Sequence, residues 1–365
     1  MKREEALQHF MDECVSVHVH RLQEQVDRQF RNNKDVLLQP IIYALEQLFT
    51  NIHEQQEQGK LAPVAFIHLS LLRTSLLENK FTYVLEAYGE TWYCDWTQCT
   101  AQYEADWLCE AMLELQKTLE KERKPYINIQ AADIHVIMQQ TVIRLHQYIS
   151  QLLRYLFRYQ QQRVPKLHFQ RATCLRFRVG EYKGFSEDVA IMEERQRVEK
   201  DVLFTLASKE ANQSYTFGNF SNLPLQHRDF NQLDFSYANF QESDLAGATM
   251  QRSVCIGTSF VNGQLTNVDF SYAMIQDADF RHANLAGANF THAQGKTLKF
   301  SQNEVPCYLG TDFSNANLEQ ARFEFAQIVG ANFTGANLKG ATFFQRDQGK
   351  YQFSQAQIQD IHWIQ

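Results

Sequence analysis

Large apolar side chains recur at every fifth residue from Phe220 to Phe290, passing through Leu225, Phe230, Phe235, Phe240 and Leu245. The beat resumes at Tyr308 and runs through Phe313, Leu318, Phe323, Ile328, Phe333 and Leu338 to Phe343. None of these 23 positions is charged or an amide. Two residues before each the chain is usually small, with alanine at 12 of the 23 places, so a second inward position accompanies the first. A period of five matches neither a helix, at about 3.6, nor a flat strand, at about 2. It suits a backbone that turns a corner every five residues and sends the central and the small residue inward. Leucine at 225, 245, 265 and 285, with mostly phenylalanine between, sets a coil of twenty residues and four sides, because like residues stack on like in a solenoid. Such an interior fills with its own rings and leaves little room for a ligand.

The segments Ala238-Asn239-Phe240-Gln241-Glu242, Ala283-Asn284-Leu285-Ala286-Gly287, Ala288-Asn289-Phe290-Thr291-His292 and Ala336-Asn337-Leu338-Lys339-Gly340 resemble the A(D/N)LXX unit of pentapeptide-repeat proteins. The resemblance covers about residues 215–343 and implies a right-handed quadrilateral parallel β-helix. At about 4.8 Å per coil, close to six coils make a rod on the order of 28 Å long. The resemblance says less about function, since one scaffold carries many sites.

The first 210 residues have a different texture, rich in Gln, Leu, Glu and Arg at helical spacing. Ala6, Phe10, Cys14, Val17, Leu22, Val26 and Phe30 mark one face of a first helix. Pro40 stands where a second helix begins, with Ile41, Leu45, Leu48, Phe49 and Ile52 on its buried side and Gly59 at its end. Phe66–Leu72 and Phe81–Tyr88 are two shorter runs, each open to a strand reading, which aromatic and β-branched content favours for the second. Helices are expected at about 101–123 and 130–160, a strand at Cys174–Val179, and a helix capped by Ser186 and running to about 208. The last of these, with Val198, Val202, Leu203 and Leu206, is the expected cover for the open N-terminal end of the coil. The chain thus divides into a mainly α-helical domain with a minor β element (1–165), a strand and capping helix (166–214), the repeat coil (215–343) and a C-terminal cap (344–365).

Charge and cysteine content narrow the class. A net charge of −7 and an isoelectric point near 6.0 point away from direct nucleic-acid binding. Seven scattered cysteines, with no basic-then-apolar leader, read as reduced thiols of a cytoplasmic protein. No stretch is long and apolar enough to suggest a membrane span.

Candidate chemistry is sparse. Gly295-Lys296-Thr297 looks like the end of a phosphate-binding loop, but the glycine that motif needs five positions earlier is Phe290, a core position. Cys94, Cys99 and Cys109 lack the tight pairing of zinc sites, and His18 and His20 fall on different helix faces. His227, His282 and His292 take outward places that solvation explains, and Glu110 and Glu114 share a face that reads as solvated. No nucleophile–base signature such as GxSxG is present. No catalytic residue, metal or cofactor is therefore assigned.

The feature most suggestive of function is the break in the beat. If thirteen residues, about 294–306, are looped out, Leu318 stacks over Leu285, and deleting them restores a step of five between Phe290 and Tyr308. Long excursions from regular scaffolds are often functional, and Lys296, Lys299 and Phe300 are the expected contact residues. The resemblance implies a non-enzymatic, bacterial protein-binding role, with DNA gyrase or topoisomerase IV as the sharpest named partner and a homodimer through the C-terminal end as a further implication. Against duplex mimicry, the acids of the coil are spread over all four sides instead of lining one. The alternatives are a secreted effector, or an enzyme whose activity resides in the N-terminal domain.

Overall fold

A computed structural model describes residues 2–78, 80–94, 99–193, 215–296 and 309–365. The chain forms two compact units, Met1–Arg195 and Gln196–Gln365.

In the first unit α1 (Arg3–Phe10) passes through one π turn, Met11–Val15, into the long α2 (Ser16–Glu57). The π turn inserts a residue into the helical register. Val15 and Val19 are buried as a result, and Val17, expected inside, is exposed. Pro40 starts no new helix: α2 continues through it. The lost hydrogen bond falls on the solvent side, where Val36 and Pro40 are exposed and water reaches the freed carbonyl. Ile41, Leu45, Leu48, Phe49 and Ile52 are buried as expected, and Gly59 follows the helix with φ +66°.

Strands β1 (Val64–Leu71), β2 (Thr82–Tyr88), β3 (Thr100–Glu104), β4 (Arg171–Glu181) and β5 (Ser186–Glu193) form a sheet in the order β3-β2-β1-β4-β5. Only the β1–β4 pair is parallel, and α3 (Asp106–Glu122) and α4 (Ala131–Tyr159) lie in the connection that joins β3 to β4. Three expectations are corrected here. The β element is a five-stranded sheet and not a minor one. Residues 101–104 extend as an edge strand before α3 begins. Ser186 opens a strand, because Glu187 and Asp188 pair with Val179 and Arg178 across a hairpin and the local helical spacing loses to that pairing. The rest of the expected capping helix, 194–208, lies outside the described residues.

One face of the sheet packs on the helices. Tyr83 hydrogen-bonds His146 of α4 (Oη to Nδ1, 3.0 Å), and the Phe177 ring lies 4.4 Å from Phe157 and 6.5 Å from Phe49 between centroids. By alternation Phe66, His68 and Ser70 point to the other face.

In the second unit each bridging residue pairs in parallel with the residue twenty further on, and bridges recur every five residues: Asn219 with Asn239, Pro224 with Asp244, Asp229 with Thr249, Asp234 with Val254. Four columns of bridges therefore share a twenty-residue coil. Every inward Phe and Leu described is buried, and Phe240, Phe260, Phe280, Phe313 and Phe333 form one stack with centroid spacings of 4.9–5.3 Å. The repeat's Asn or Asp has a physical task. Its side-chain oxygen accepts the N–H two residues on, as Asp234 does from Ser236 (2.8 Å) and Asn239 from Gln241 (3.0 Å), closing the corner locally.

Beyond Phe290 the columns pair residues 33 apart: Asp279 with Asp312, Asn284 with Asn317, Asn289 with Arg322 and Gln294 with Gln327. The excess over twenty is thirteen, and the Leu285 N–H meets the Asn317 carbonyl beside Leu318 at 2.7 Å. The limits of the excursion shift by two. Gln294 still bridges Met274 and Gln327, and the Gly295 N–H still donates to the Gln327 carbonyl (2.8 Å), so both belong to the coil. Gly295 takes the inward place between Ile275 and Ile328. A Cβ there would lie 2.5 Å from Thr311 Oγ1 and 2.9 Å from Ile328 Cγ2, so no larger residue fits. The chain rejoins at Leu309 and Gly310, whose N–H groups donate to Asp277 Oδ1 (3.0 and 2.8 Å). Counting from Gly295 to Leu309 places the excursion at 296–308. Tyr308, read as a coil position from the beat, lies outside the described residues.

At the far end β6 (Thr342–Phe344) pairs in parallel with β7 (His362–Ile364), with the short α5 (Gln355–Asp360) between them. Tyr351, Phe353 and Trp363 pack over Phe343, and the Gln357 amide donates to the carbonyls of Phe333 (2.7 Å) and Ala336 (3.0 Å), sealing the column ends.

Candidate functional site

Two constellations stand out, one in each unit. In the coil, the corner residue of each five has its backbone in the left-handed region, which favours glycine. One corner column nevertheless carries Arg252, Tyr272, His292 and Phe325, at φ 55–61°. Tyr272 and His292 stack at 4.6 Å and 8°, and His292 and Phe325 at 4.6 Å and 4°. The Arg252 guanidinium lies 5.7 Å from the Tyr272 ring, and Arg346 lies 5.9 Å from Phe325 and 4.7 Å from Phe344. Tyr272 and Phe325 remain 51% and 48% exposed. His292 is thus a rung of a ladder, not the solvated residue its outward position suggested. Ring stacking of this kind contributes about 0.5–1.5 kcal/mol per pair, which offsets left-handed strain of roughly 1–2 kcal/mol at a bulky residue.

The adjoining side of the coil carries the half-buried Val254, Ile256 and Met274 and the exposed Val329. It is also the side from which the excursion leaves, after Gln294 and Gly295. Lys296 is exposed at that exit; Lys299 and Phe300 lie outside the described residues. Gln276, outward by its place in the repeat, is only 2% exposed. The apolar patch of Val254, Ile256 and Met274, edged by stacked rings and guanidinium groups and continued by the exposed Gln294 and Gln327, is a composition that anchors protein contacts. The acids remain divided among the columns, with Asp279 buried against Arg281 (2.9 Å).

In the first unit Glu86 (β2), His68 (β1), Arg178 (β4) and Asp188 (β5) stand at one level on four neighbouring strands, on the face away from the helices. Arg178 donates to Asp188 (2.8 Å) and to Ser186 Oγ (3.0 Å), and Arg176 to the other Asp188 oxygen (3.1 Å). Tyr88 Oη donates to Glu86 Oε1 (2.7 Å). Trp92, with φ +53°, lies over the row, its ring 5.1 Å from His68 and 4.9 Å from the Arg178 guanidinium. Burial, helped by the Arg178 charge, lowers the His68 pKa to about 4. Burial raises that of Glu86, against the bonds from Tyr88 and Ser70 and the charge of Lys183. A neutral imidazole beside a carboxyl whose pKa burial raises is a candidate acid–base arrangement. None of the four was singled out from the sequence, because β-pairing alone makes them neighbours. Glu110 and Glu114 are exposed on α3, and the thiols of Cys94, Cys99 and Cys109 range from exposed to buried. No helix among the described residues is long and apolar enough to cross a membrane.

A coil of stacked five-residue corners defines a repeat protein of the solenoid class. The family described as pentapeptide repeats matches it in eight copies, over residues 219–252, 229–263, 263–294 and 310–343. The C-terminal part of this chain is a pentapeptide-repeat region, and the gap in the match falls on the excursion. No curated protein matches the chain. Among solved structures it is similar to a trypsin-treated form of QnrB1, a plasmid-mediated fluoroquinolone resistance protein, at 18% identity and a TM-score of 0.27. That similarity covers 34% of this chain and 60% of that one, so the chain spans less than two thirds of it. It is also similar to Rfr23 from the cyanobacterium Cyanothece 51142 (18% identity, TM-score 0.27, 38% of this chain and 95% of that one). A third is HetL, involved in heterocyst differentiation regulation, from Nostoc sp. PCC 7120 (16% identity, TM-score 0.20, 40% and 97%).

Proposed function

We propose that the repeat region is a right-handed quadrilateral β-helix acting as a non-catalytic protein-binding platform. The observation that carries this reading is the exposed ladder Arg252–Tyr272–His292–Phe325, placed beside an apolar patch and the exit of the excursion. Four coils at about 4.8 Å give the ladder a length of roughly 14 Å, enough to seat a segment of a partner protein. The family resemblance makes DNA gyrase or topoisomerase IV the first partner to test. In this reading the partner is gripped by rings and the excursion, since the scattered acids do not compose a duplex mimic. The protein is read as cytoplasmic.

The test is gyrase and topoisomerase IV supercoiling and relaxation, with and without quinolone, in the presence of the full chain. The wild-type chain is expected to change activity or drug sensitivity. Tyr272→Ala combined with Phe325→Ala, and deletion of 296–308, are expected to abolish the effect while leaving the fold intact. No effect of the wild-type chain on either enzyme discards these partners; an effect that survives both variants discards the ladder.

A second reading, that the N-terminal unit is an enzyme, is favoured by the Glu86–His68–Arg178–Asp188 row alone. Activity in the isolated chain that is lost in His68→Gln or Glu86→Gln would establish it.

A further inference from the structure

Beyond the coil, the first unit holds a cavity of about 210 Å³ between α3 and α4. Phe81, Leu76, Met112, Met138 and Val142 line it on its apolar side with Cys109 alongside, and Lys80, Gln116, His135 and Gln139 complete the lining. Burial, together with the carboxylates of Asp106, Glu104 and Glu110, raises the Cys109 pKa, so the thiol stays protonated and adds a neutral surface. The two methionines give walls that adapt to an irregular apolar guest. The volume equals about seven waters at about 30 Å³ each, so an alkyl tail of roughly that many carbons fills it.

This cavity shares the lining residues Leu113 and Gln116 with a second, open hollow lined by Lys117, Lys121, Arg123 and Lys124. Arg123 is taken by Glu120 (2.6 Å), the one acid in that lining. Lys117, Lys121 and Lys124 have no carboxylate within ion-pair distance among the described residues, in a chain whose net charge is −7. Lys121 in the last turn of α3 complements the helix dipole, but Lys117 lies a turn earlier and Lys124 beyond the helix end. A pocket with an apolar wall of Phe81, Met112, Met138 and Val142, sharing lining residues with a hollow of unpaired ammonium groups, is complementary to one kind of molecule. We propose that this unit binds a single-chain anionic amphiphile, its alkyl tail among Met112, Met138 and Val142 and its carboxylate or phosphate head over Lys117, Lys121 and Lys124.

The full chain is titrated by calorimetry with straight-chain carboxylates from butanoate to dodecanoate, the matching alkyl phosphates, the matching alkanols and inorganic phosphate. The dissociation constant should fall about fourfold per added methylene and level off once the cavity is full. Matched alkanols should bind more weakly, and inorganic phosphate should not compete. The combined Lys117→Gln, Lys121→Gln and Lys124→Gln variant should lose about tenfold for the anions and nothing for the alkanols. Leu113→Trp should crowd the cavity and weaken binding of both, with circular dichroism checking its fold. Whichever anion series binds tighter identifies the head group. Three results overturn the proposal: no saturable binding in any tailed series, affinity independent of chain length, or equal loss for anions and alkanols in the lysine variant. The lysine variant changes only surface residues, so the test stands even where Leu113→Trp fails to fold.

Discussion

Two deletions of equal length separate the register drawn from the bridges from the one drawn from the beat. Removing 296–308 joins Gly295 to Leu309 and leaves Gly295, Gly310, Thr311 and Phe313 in the places they already hold. Removing 294–306 instead keeps Tyr308 and moves it into the inward place of Gly295. There even a Cβ would meet Thr311 Oγ1 at 2.5 Å, Ile328 Cγ2 at 2.9 Å and Ile275 Cγ1 at 3.1 Å. Overpacking of a filled core costs about 1–3 kcal/mol for added methylenes, and a phenol ring lies at or beyond the upper end of that range. For a unit of this size, about 2–4 °C per kcal/mol makes the deficit roughly 6–12 °C. Shortening a loop by thirteen residues works the other way by about 2 kcal/mol at most, from about 0.6 kcal/mol per doubling of length. Differential scanning calorimetry of both deletions in the full chain should therefore place 296–308 at or above the wild-type transition of the coil and 294–306 clearly below it. Equal transitions, or loss of the coil transition in the 296–308 deletion, would refute the placement of Gly295 in the core.

Phe270→Ala removes a fully buried ring stacked on Phe290 at 5.1 Å and should cost about 3–5 kcal/mol. The exposed Lys339→Ala should cost within about 0.5 kcal/mol. Similar urea midpoints for the two would contradict the coil assignment. Acidification should destabilise the first unit through His68 and His146, which burial holds at about 4 against an ordinary 6.5. In both cases the unfolded chain binds the proton more tightly, so stability present above pH 6.5 is lost as pH falls toward 4, by up to about 3 kcal/mol per histidine. Glu86, with its pKa raised, works in the opposite sense, losing stability as pH rises. Urea unfolding from about pH 7.5 to about 4.5, across that window, should show a shallower dependence in His68→Gln and His146→Gln; slopes equal to wild type would contradict the buried, neutral state.

Much of the coil was legible before any coordinates, because its interactions are local in a repeating sense. A residue's environment is set by neighbours five and twenty positions away, so periodicity carries both the burial of Phe270 and the stacking of Leu318 over Leu285. The thirteen-residue excess came from the same arithmetic. The two-residue error in its limits arose because Gly295 breaks the apolar beat while keeping its place in the core, where the Thr311, Ile328 and Ile275 side chains leave no room for a larger residue. The aromatic ladder was present in the spacing of Tyr272, His292 and Phe325, yet outward positions give no sign of which columns interact until the corner geometry aligns the rings. In the first unit the helices followed from amphipathic spacing. The π turn that buries Val15 and the continuation of α2 through Pro40 did not, since each is a local irregularity that tertiary packing tolerates. Least legible was the row Glu86–His68–Arg178–Asp188. From His68 to Asp188 its members span 120 residues, and parallel pairing of β1 with β4 is what brings them level. Sequence determined the repeat, its period and its inward residues, because there the local rule and the fold coincide. Tertiary structure alone decided which polar groups meet across the sheet and which cavity opens between α3 and α4, because long-range register has no local signature.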